Sequence, residues 1–238
     1  MNLRKYHGLG NDFLILVDAG GTQPYDADLA RAVCDRHRGI GADGLVRVTR
    51  TGSADGPRFE LLNADGSRAE TSGNGLRCAA RAIVDAGWDV GTDFTIATDA
   101  GPRRVRLRDD GMVAVGMGRV TVEGEHVDVG NPHRVVLVDD LATISGHAGQ
   151  PDLNLEFVLP GPGPDEITMR VFERGVGETR ACGSGACAAA AVAHAKGLVG
   201  TTVTVHQRGG DATVELDGDT ATLTGAAEFV FEGTWPWR

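Results

Sequence analysis

The sequence predicts an α/β (α+β) fold built from two similar halves, in which strands wrap around one buried helix in each half. Three observations support this prediction. Strand-like runs outnumber helical ones, two helical segments are apolar nearly all the way round, and those two segments align without gaps at a spacing of 110 residues. A chain of 238 residues has room for two such domains, each with its own core.

The predicted strands are short runs rich in β-branched and aromatic residues, separated by turn-forming residues. They cover residues 13–18, 45–49, 59–62, 94–98, 103–107, 134–138, 155–159, 202–206 and 227–231.

Three segments have helical character. The first, 27–37, is expected to be amphipathic and exposed, with Asp26 or Asp28 as its N-cap and Gly39 at its end. The other two, 76–87 and 186–197, are expected to be buried. Each follows a glycine-rich turn and ends in a glycine suited to a left-handed cap; the turns are Ser72-Gly73-Asn74-Gly75 and Cys182-Gly183-Ser184-Gly185, and the caps are Gly87 and Gly197.

The alignment of the two buried helices indicates an internal duplication. Gly73 matches Gly183, and position 72 matches position 182. A second similarity, at a spacing of 120, relates GNDFLILV (10–17) to GNPHRVVL (130–137). Two copies are too few for a solenoid. We therefore predict one domain over 1–118, completed by a returning strand in 227–238, and a second over 119–226.

Composition excludes several classes of partner. The formal net charge is −10 and no run of Lys or Arg occurs, which argues against nucleic-acid binding. No apolar stretch approaches the roughly 18 residues of a membrane span, and the first residues lack the apolar region of a signal peptide. We expect a cytoplasmic protein that binds neither nucleic acid nor membrane.

The four cysteines, Cys34, Cys78, Cys182 and Cys187, are too few and too scattered for a disulfide framework, so reduced thiols are expected. Cys182 and Cys187 would point about 140° apart on a helix, which argues against a shared metal.

Cys182 is the residue with the clearest chemical potential. A helix N-terminus presents unpaired N–H groups and partial positive charge, which suit a bound carboxylate and favour a lowered thiol pKa. A lone Cys is more often a small core residue. The flanking glycines and the matching position 72 favour a role as a base. Two helix starts that converge on one carboxylate would place positions 72 and 182 on opposite faces of one carbon.

Six segments in order closely resemble the motif series of diaminopimelate epimerases, from Lys5 to the end of the chain. They are KYHGLGNDF, RHRGIGADGL, NADGSRAETSGNGLRC, GNPHRVV, NLEFV and ERGVGETRACGSGA. The resemblance implies two similar α/β domains with the active site in the cleft between them. It also implies a two-base mechanism without pyridoxal phosphate, metal or other cofactor, which converts LL-diaminopimelate to the meso isomer in lysine and cell-wall precursor biosynthesis. The expected partner is a small amino acid, and a homodimer is left open.

The same resemblance implies roles for individual residues. Cys182 is one base and Ser72 stands at the position of the other, while His133 and Glu173 support the two proton-transfer groups. Arg174 would clamp the distal carboxylate of the substrate. The distal amino-acid end would be held by Asn11, Asn63, Asn131 and Asn154, and the reacting carboxylate by backbone N–H groups around Gly73, Asn74, Gly183 and Ser184.

The chain departs from the family pattern at two positions. Ser72 replaces a cysteine, and a hydroxyl is far less acidic than a thiol. Gly44 stands where many relatives carry Gln, so one polar contact is missing. The segment between Gly118 and Gly130 is also short. Two alternatives therefore stay open: a related epimerase or racemase acting on another substrate such as a proline derivative, or an amino-acid-binding homologue without catalysis.

Overall fold

The computed structural model describes residues 1–50, 56–144 and 152–236. The chain divides into two compact units, Met1–Val115 with Ala226–Arg238, and Gly116–Gly225. Both units are rich in strand and have a long buried helix, so the mixed α/β class predicted from the sequence is confirmed.

The strands of the first unit are hydrogen-bonded in the order β18, β1, β2, β3, β4, β6, β7, β8, and the short β5 also pairs with β4. The pairs β2–β3 and β4–β6 are parallel and the others antiparallel. The strand bounds are β1 (Asn2–Gly8), β2 (Asn11–Val17), β3 (Gly44–Arg50), β4 (Pro57–Asn63), β5 (Arg68–Ala69), β6 (Asp93–Thr98), β7 (Gly101–Leu107), β8 (Val113–Arg119), which continues into the second unit, and β18 (Glu228–Thr234).

The strands of the second unit are paired in the corresponding order, β9, β10, β11, β12, β13, β15, β16, β17, and β14 also pairs with β13. Each pair has the same direction, parallel or antiparallel, as the corresponding pair of the first unit. Its parallel pairs are β11–β12 and β13–β15. The bounds are β9 (Thr121–Glu123), β10 (His126–Asp128), β11 (Pro132–Leu137), β12 (Asn154–Pro160), β13 (Glu166–Glu173), β14 (Gly177–Thr179), β15 (Thr202–Gln207), β16 (Gly210–Asp217) and β17 (Thr220–Gly225). The topology is duplicated, as the sequence alignment indicates.

The helices are α1 (Ala27–Cys34), α2 (Gly73–Asp85) and α3 (Gly183–Ala195), with a 3-10 turn at Leu141–Thr143. As predicted, α2 and α3 are buried. Two residues after each helix ends stands a glycine, Gly87 or Gly197, whose φ of 74° or 71° lies in the left-handed region that glycine tolerates best. Both helices begin earlier than predicted, because the glycines that follow Ser72 and Cys182 already form the first helical turn.

The prediction for the first helix is correct at its start, where the Asp26 carboxylate accepts from the Leu29 N–H as N-cap, and wrong at its end. The helix ends at Cys34, since the Asp35 carboxylate accepts hydrogen bonds from the backbone N–H groups of His37 and Arg38 and turns the chain. Gly39 is therefore not its cap. The helix is amphipathic, as predicted: Leu29 and Val33 on its apolar face are buried against β2, β3 and β4, while Asp28 and Arg31 are exposed.

The duplication positions corresponding residues in the two units. Phe13 pairs with Gly44, the first residue of β3, and His133 pairs in the same way with Asn154, the first residue of β12. Two residues further along, Val46 of β3 corresponds to Glu156 of β12. The last residues of β4 and β13, Asn63 and Glu173, also correspond.

Candidate active site

The N-termini of α2 and α3 are capped in the same manner by different side chains. Ser72 has extended backbone angles, and its Oγ accepts a hydrogen bond of 3.1 Å from the Gly75 N–H. Cys182 is equally extended, and its Sγ accepts from the Gly185 N–H at 3.4 Å. A small side chain with a lone pair is all that this N-cap requires. The cap therefore tolerates both a hydroxyl and a thiol.

Cys182 is only 6% exposed and its surroundings are polar. Its backbone N–H donates to Gln207 Oε1 at 2.9 Å, and Sγ lies 3.5 Å from Ser184 Oγ. The expectation of a lowered thiol pKa is wrong. Burial raises the pKa of Cys182 well above the ordinary value, and the carboxylates of Glu173 and Glu156 raise it further; the Ser184 hydroxyl and the Gly185 N–H act in the opposite direction with less effect. These surroundings favour the protonated thiol over the thiolate.

Glu173 ends β13 beside this thiol. Thr179 Oγ1 donates to its Oε1 at 2.5 Å. Burial raises the pKa of Glu173, and the Thr179 hydroxyl and the Cys182 thiol partly offset the increase. Thiol and carboxyl therefore lie close enough for the charge of one to affect the protonation of the other.

His133 forms a second buried pair in this unit. Its Nδ1 lies 2.7 Å from Glu156 Oε1, and both side chains are completely shielded from solvent. Its Nε2 lies 3.1 Å from Asn131 Oδ1. His133 and Asn131 also line a pocket of about 420 Å³ beside the β9–β10 hairpin.

Around Ser72 the structure shows a chain of amides, and Asn63 stands at the position that corresponds to Glu173 in the second unit. The Arg77 guanidinium donates to Asn74 Oδ1 at 2.8 Å, Asn74 Nδ2 donates to Asn11 Oδ1 at 3.1 Å, and Asn11 Nδ2 donates to Asp43 Oδ2 at 2.8 Å. Because the Arg77 guanidinium can only donate and the Asp43 carboxylate can only accept, the orientation of both amides is fixed. Asn11 and Asn74 are thereby brought together next to the α2 N-terminus.

The remaining predicted residues lie at strand ends. Asn63 Nδ2 donates to Ser67 Oγ at 2.9 Å. Asn154 is buried and holds two backbone segments, accepting from the Arg174 N–H at 2.9 Å and donating to the Pro132 carbonyl at 3.3 Å. The side chain of Arg174 is exposed, and no carboxylate of the described residues forms an ion pair with it.

Gly44 has little room for a side chain. A Cβ at this position would lie 2.9 Å from Leu61 Cδ1 and 3.0 Å from the Leu62 carbonyl oxygen. A Gln here would therefore require the Leu61 side chain and the end of β4 to shift.

The structure groups the predicted residues by unit: Ser72, Gly73, Asn74, Asn11 and Asn63 in the first, and Cys182, Gly183, Ser184, Glu173, Arg174, His133, Asn131 and Asn154 in the second. Sequence reasoning missed Glu156. Its signal was a single charge inside the otherwise apolar strand motif NLEFV, where an unpaired carboxylate would be costly.

All four cysteines are free thiols, as predicted. Within the described ranges, no group of three or more His, Cys, Asp or Glu side chains is arranged to hold a metal ion. No helix in these ranges is long and apolar enough to cross a membrane.

The family model described as diaminopimelate epimerase matches residues 3–123 and 126–230. Diaminopimelate epimerases from Desulfitobacterium hafniense and Thermobifida fusca are 36% and 38% identical to this chain, each over 98% of it and 97% of the relative. Among solved structures, a PhzF-family phenazine biosynthesis protein from Bacillus anthracis has a TM-score of 0.77 at 16% identity, over 98% of both chains. A hydroxyproline epimerase from Agrobacterium vitis has a TM-score of 0.67 at 20% identity, over 98% of this chain and 91% of that one. These two structural matches show a common fold.

Proposed function

Because the chain belongs to the diaminopimelate epimerase family, we propose that it inverts one Cα of diaminopimelate without a cofactor, interconverting the LL and meso isomers. The reaction removes the Cα proton on one face and returns a proton on the other. It would serve the synthesis of lysine and of cell-wall precursors. The observation that carries the proposal is the Cys182 thiol, which caps a buried helix near the Glu173 carboxylate.

The raised pKa of Cys182 defines how this residue acts. A thiol with a high pKa holds its proton until a strongly basic carbanion is present, so it is a suitable donor to Cα. In the reverse direction the thiol must first lose its proton. Glu173 is the proposed acceptor, because its carboxylate acts on the thiol electrostatically and its raised pKa makes it a stronger base than an ordinary carboxylate.

The two helix N-termini would bind the reacting carboxylate. The first N–H groups of an α-helix have no intrahelical acceptor and carry the positive end of the helix dipole. In α2 these groups belong to Gly73 and Asn74, and in α3 to Gly183 and Ser184. Negative charge that develops on the carboxylate as Cα loses its proton would be stabilised by the same groups.

Arg174 would select a substrate with a second carboxylate. Its guanidinium is exposed and has no ion-pair partner in the described part of the chain, so a ligand does not have to displace a protein carboxylate. A planar guanidinium binds a carboxylate through two parallel hydrogen bonds. Asn11 and Asn131 would contribute amide contacts to the distal amino-acid end.

The test is hydrogen exchange at Cα in heavy water. The protein is incubated separately with LL- and meso-diaminopimelate, lysine, proline and hydroxyproline, and deuterium at Cα is measured by mass spectrometry and NMR. Exchange and isomer conversion with diaminopimelate are expected. Exchange restricted to the proline derivatives would assign the other substrate class, and binding of diaminopimelate without exchange from either isomer would identify a non-catalytic homologue; each of these results would overturn the proposal.

A further inference from the structure

The start of α3 is surrounded by ionisable side chains from three strands of its own unit. The helix packs against β11, β12 and β13, which carry His133, Glu156 and Glu173 respectively. A Cβ placed on Gly185, in the first turn of the helix, would lie 2.7 Å from Glu156 Oε1 and 3.3 Å from Cys182 Sγ. Carboxylate and thiol therefore border the same small space, which the absence of a side chain on Gly185 keeps open.

Glu156 is completely buried and has few polar contacts. Its Oε1 lies 2.7 Å from His133 Nδ1, and its Oε2 has no hydrogen-bond partner among the described residues. Charges interact more strongly inside a protein than in water, because they are less screened there. A negative charge on Glu156 therefore acts on Cys182 through the protein interior.

Several groups determine whether Cys182 keeps its proton. Burial raises the pKa of the thiol most, followed by the Glu173 carboxylate and then the Glu156 carboxylate. The groups that oppose this increase are neutral: the Ser184 hydroxyl, 3.5 Å from Sγ, and the Gly185 N–H, 3.4 Å from it.

Two further side chains near the start of α3 complete this environment. Gln207, at the end of β15, contacts the backbone N–H of Cys182 and carries no charge. His133 can carry a positive charge, and its Nδ1 is directed at Glu156. Glu156 thus connects the imidazole to the space beside the thiol.

The first unit shows that these ionisable residues accompany the thiol cap and are not a requirement of the fold. At the three corresponding positions it carries Phe13, Val46 and Asn63, which are not ionisable, and its helix cap is the Ser72 hydroxyl. A buried ion pair seldom stabilises a fold more than well-packed apolar residues do. The buried charges of the second unit are therefore better explained by the chemistry of Cys182 than by stability.

We propose that Glu156 is a positioning residue for the proton of Cys182: its buried negative charge, held under the start of α3 by His133, keeps the proton on Sγ until the reaction withdraws it. This inference deepens the proposed function and rests on it. When the thiol protonates Cα, the Sγ–H bond breaks and its electron pair stays on sulfur. A thiolate that neighbouring carboxylates destabilise is a stronger base than an ordinary one, which suits removal of a Cα proton in the opposite direction.

The test is the rate at which iodoacetamide alkylates Cys182 across a pH series, measured by mass spectrometry without substrate. Glu156→Gln keeps a hydrogen-bonding group beside His133 but removes the charge, so the profile of rate against pH should shift to lower pH by about one to two units. At a fixed pH below the midpoint the rate should rise about 3- to 10-fold, because a larger thiolate fraction outweighs the lower nucleophilicity of a more acidic thiol.

A second measurement does not depend on access of the reagent to a buried thiol. The ¹³Cβ chemical shift of Cys182, in protein labelled at cysteine, reports ionisation directly and should show the same shift of the midpoint. The double variant His133→Phe with Glu156→Val installs the apolar pair of the first unit. It should lower the midpoint as Glu156→Gln does, even if the single variant does not fold.

Glu166→Gln is the matched control. Glu166 begins β13 and Glu173 ends it, so roughly 23 Å of strand separates Glu166 from the residues beside the thiol. Glu166 also pairs with His206 Nε2 at 3.1 Å, as Glu156 pairs with an imidazole. Its neutralisation should leave the ionisation of Cys182 unchanged.

Three results would overturn the role of Glu156: a profile that does not move in Glu156→Gln, one that moves to higher pH, or one that moves equally in Glu166→Gln. Absence of Cα exchange with diaminopimelate in the unmodified protein would overturn the proposed function instead. The two failures are distinguishable, because the ionisation of Cys182 is measured without substrate and without turnover.

Discussion

Adding one methyl group at Gly185 tests the packing around Glu156. The backbone of Gly185 is helical and accepts alanine, but the new Cβ would lie 2.7 Å from Glu156 Oε1 and 3.3 Å from Cys182 Sγ. Glu156 cannot move away freely, because it is completely buried and held by His133 at 2.7 Å. The contact must relax by more than half an ångström, and overpacking of this kind costs about 1–3 kcal/mol.

Gly75→Ala is the matched control in the first unit. Its Cβ would meet Ser72 Cβ at 3.2 Å and Phe59 Cζ at 3.3 Å, so the neighbours need to move only slightly. The higher helix propensity of alanine contributes about 0.5–1 kcal/mol in the opposite direction. We therefore expect the free energy of unfolding of Gly75→Ala to stay within about 1 kcal/mol of that of the parent. The larger penalty expected for Gly185→Ala should lower its Tm by roughly 3–10 °C in a chain of this size.

The assay is equilibrium urea unfolding of both variants, followed by a double substitution. Glu156→Val introduces the residue that Val46 provides in the first unit and removes the atom that the methyl group would strike. The penalty of Gly185→Ala should therefore shrink by at least half in the Glu156→Val background. An unchanged penalty in that background, or equal penalties for Gly75→Ala and Gly185→Ala, would refute the reasoning.

Three further outcomes are expected. Cys182→Ala should abolish Cα exchange in heavy water, because no other side chain in the first turn of α3 can act as a thiol donor and base; residual epimerisation within a few-fold of the parent would contradict this. Arg174→Gln should weaken diaminopimelate binding by about 10- to 100-fold while leaving lysine binding unchanged, measured by calorimetry; equal effects on both ligands would contradict the distal clamp. Burial of Asp12 opposes its ionisation, but Arg36 and Lys5 outweigh this and lower its pKa to about 2. Because the pKa is lower in the folded state, the ionised Asp12 stabilises the fold by about 2 kcal/mol above the unfolded-state pKa of about 3.9, and this stabilisation is lost as the pH falls toward 2. In urea unfolding between pH 5 and 2, the free energy of unfolding of Asp12→Asn should therefore decline less steeply than that of the parent.

Much of the fold can be predicted from the sequence, because local patterns and global topology agree. Each of the nine predicted strand-like runs overlaps a strand, three of them extending one residue beyond it, and both buried helices are present. The strands that were missed include β13 and β16, EITMRVFE and GDATVELD, in which charged residues interrupt the apolar pattern. Such strands depend on pairing with distant segments, for example β13 with β12 and β15, and this pairing is not encoded within the strand itself.

The candidate site is harder to predict, because electrostatics depends on what surrounds a group and not on its place along the chain. The position of Cys182 at a helix start predicts a lowered thiol pKa, yet the pKa is raised. The helix N-terminus contributes hydrogen bonds, but burial and two carboxylates from separate strands have the larger effect. Glu173 is nine residues away in sequence and Glu156 is further, so only the fold reveals that their charges act on this thiol.

The two units show which parts of such a site are exchangeable. An N-cap needs only a small side chain with a lone pair, so the exchange of a thiol for the Ser72 hydroxyl leaves the fold of α2 intact while removing an acidic group. A buried His–Glu pair is different, because a carboxylate without its imidazole would leave an uncompensated buried charge. Positions 133 and 156 therefore have to change together, as Phe13 and Val46 illustrate in the first unit. Since apolar residues pack at both corresponding positions, the fold itself does not require the charged pair beside Cys182.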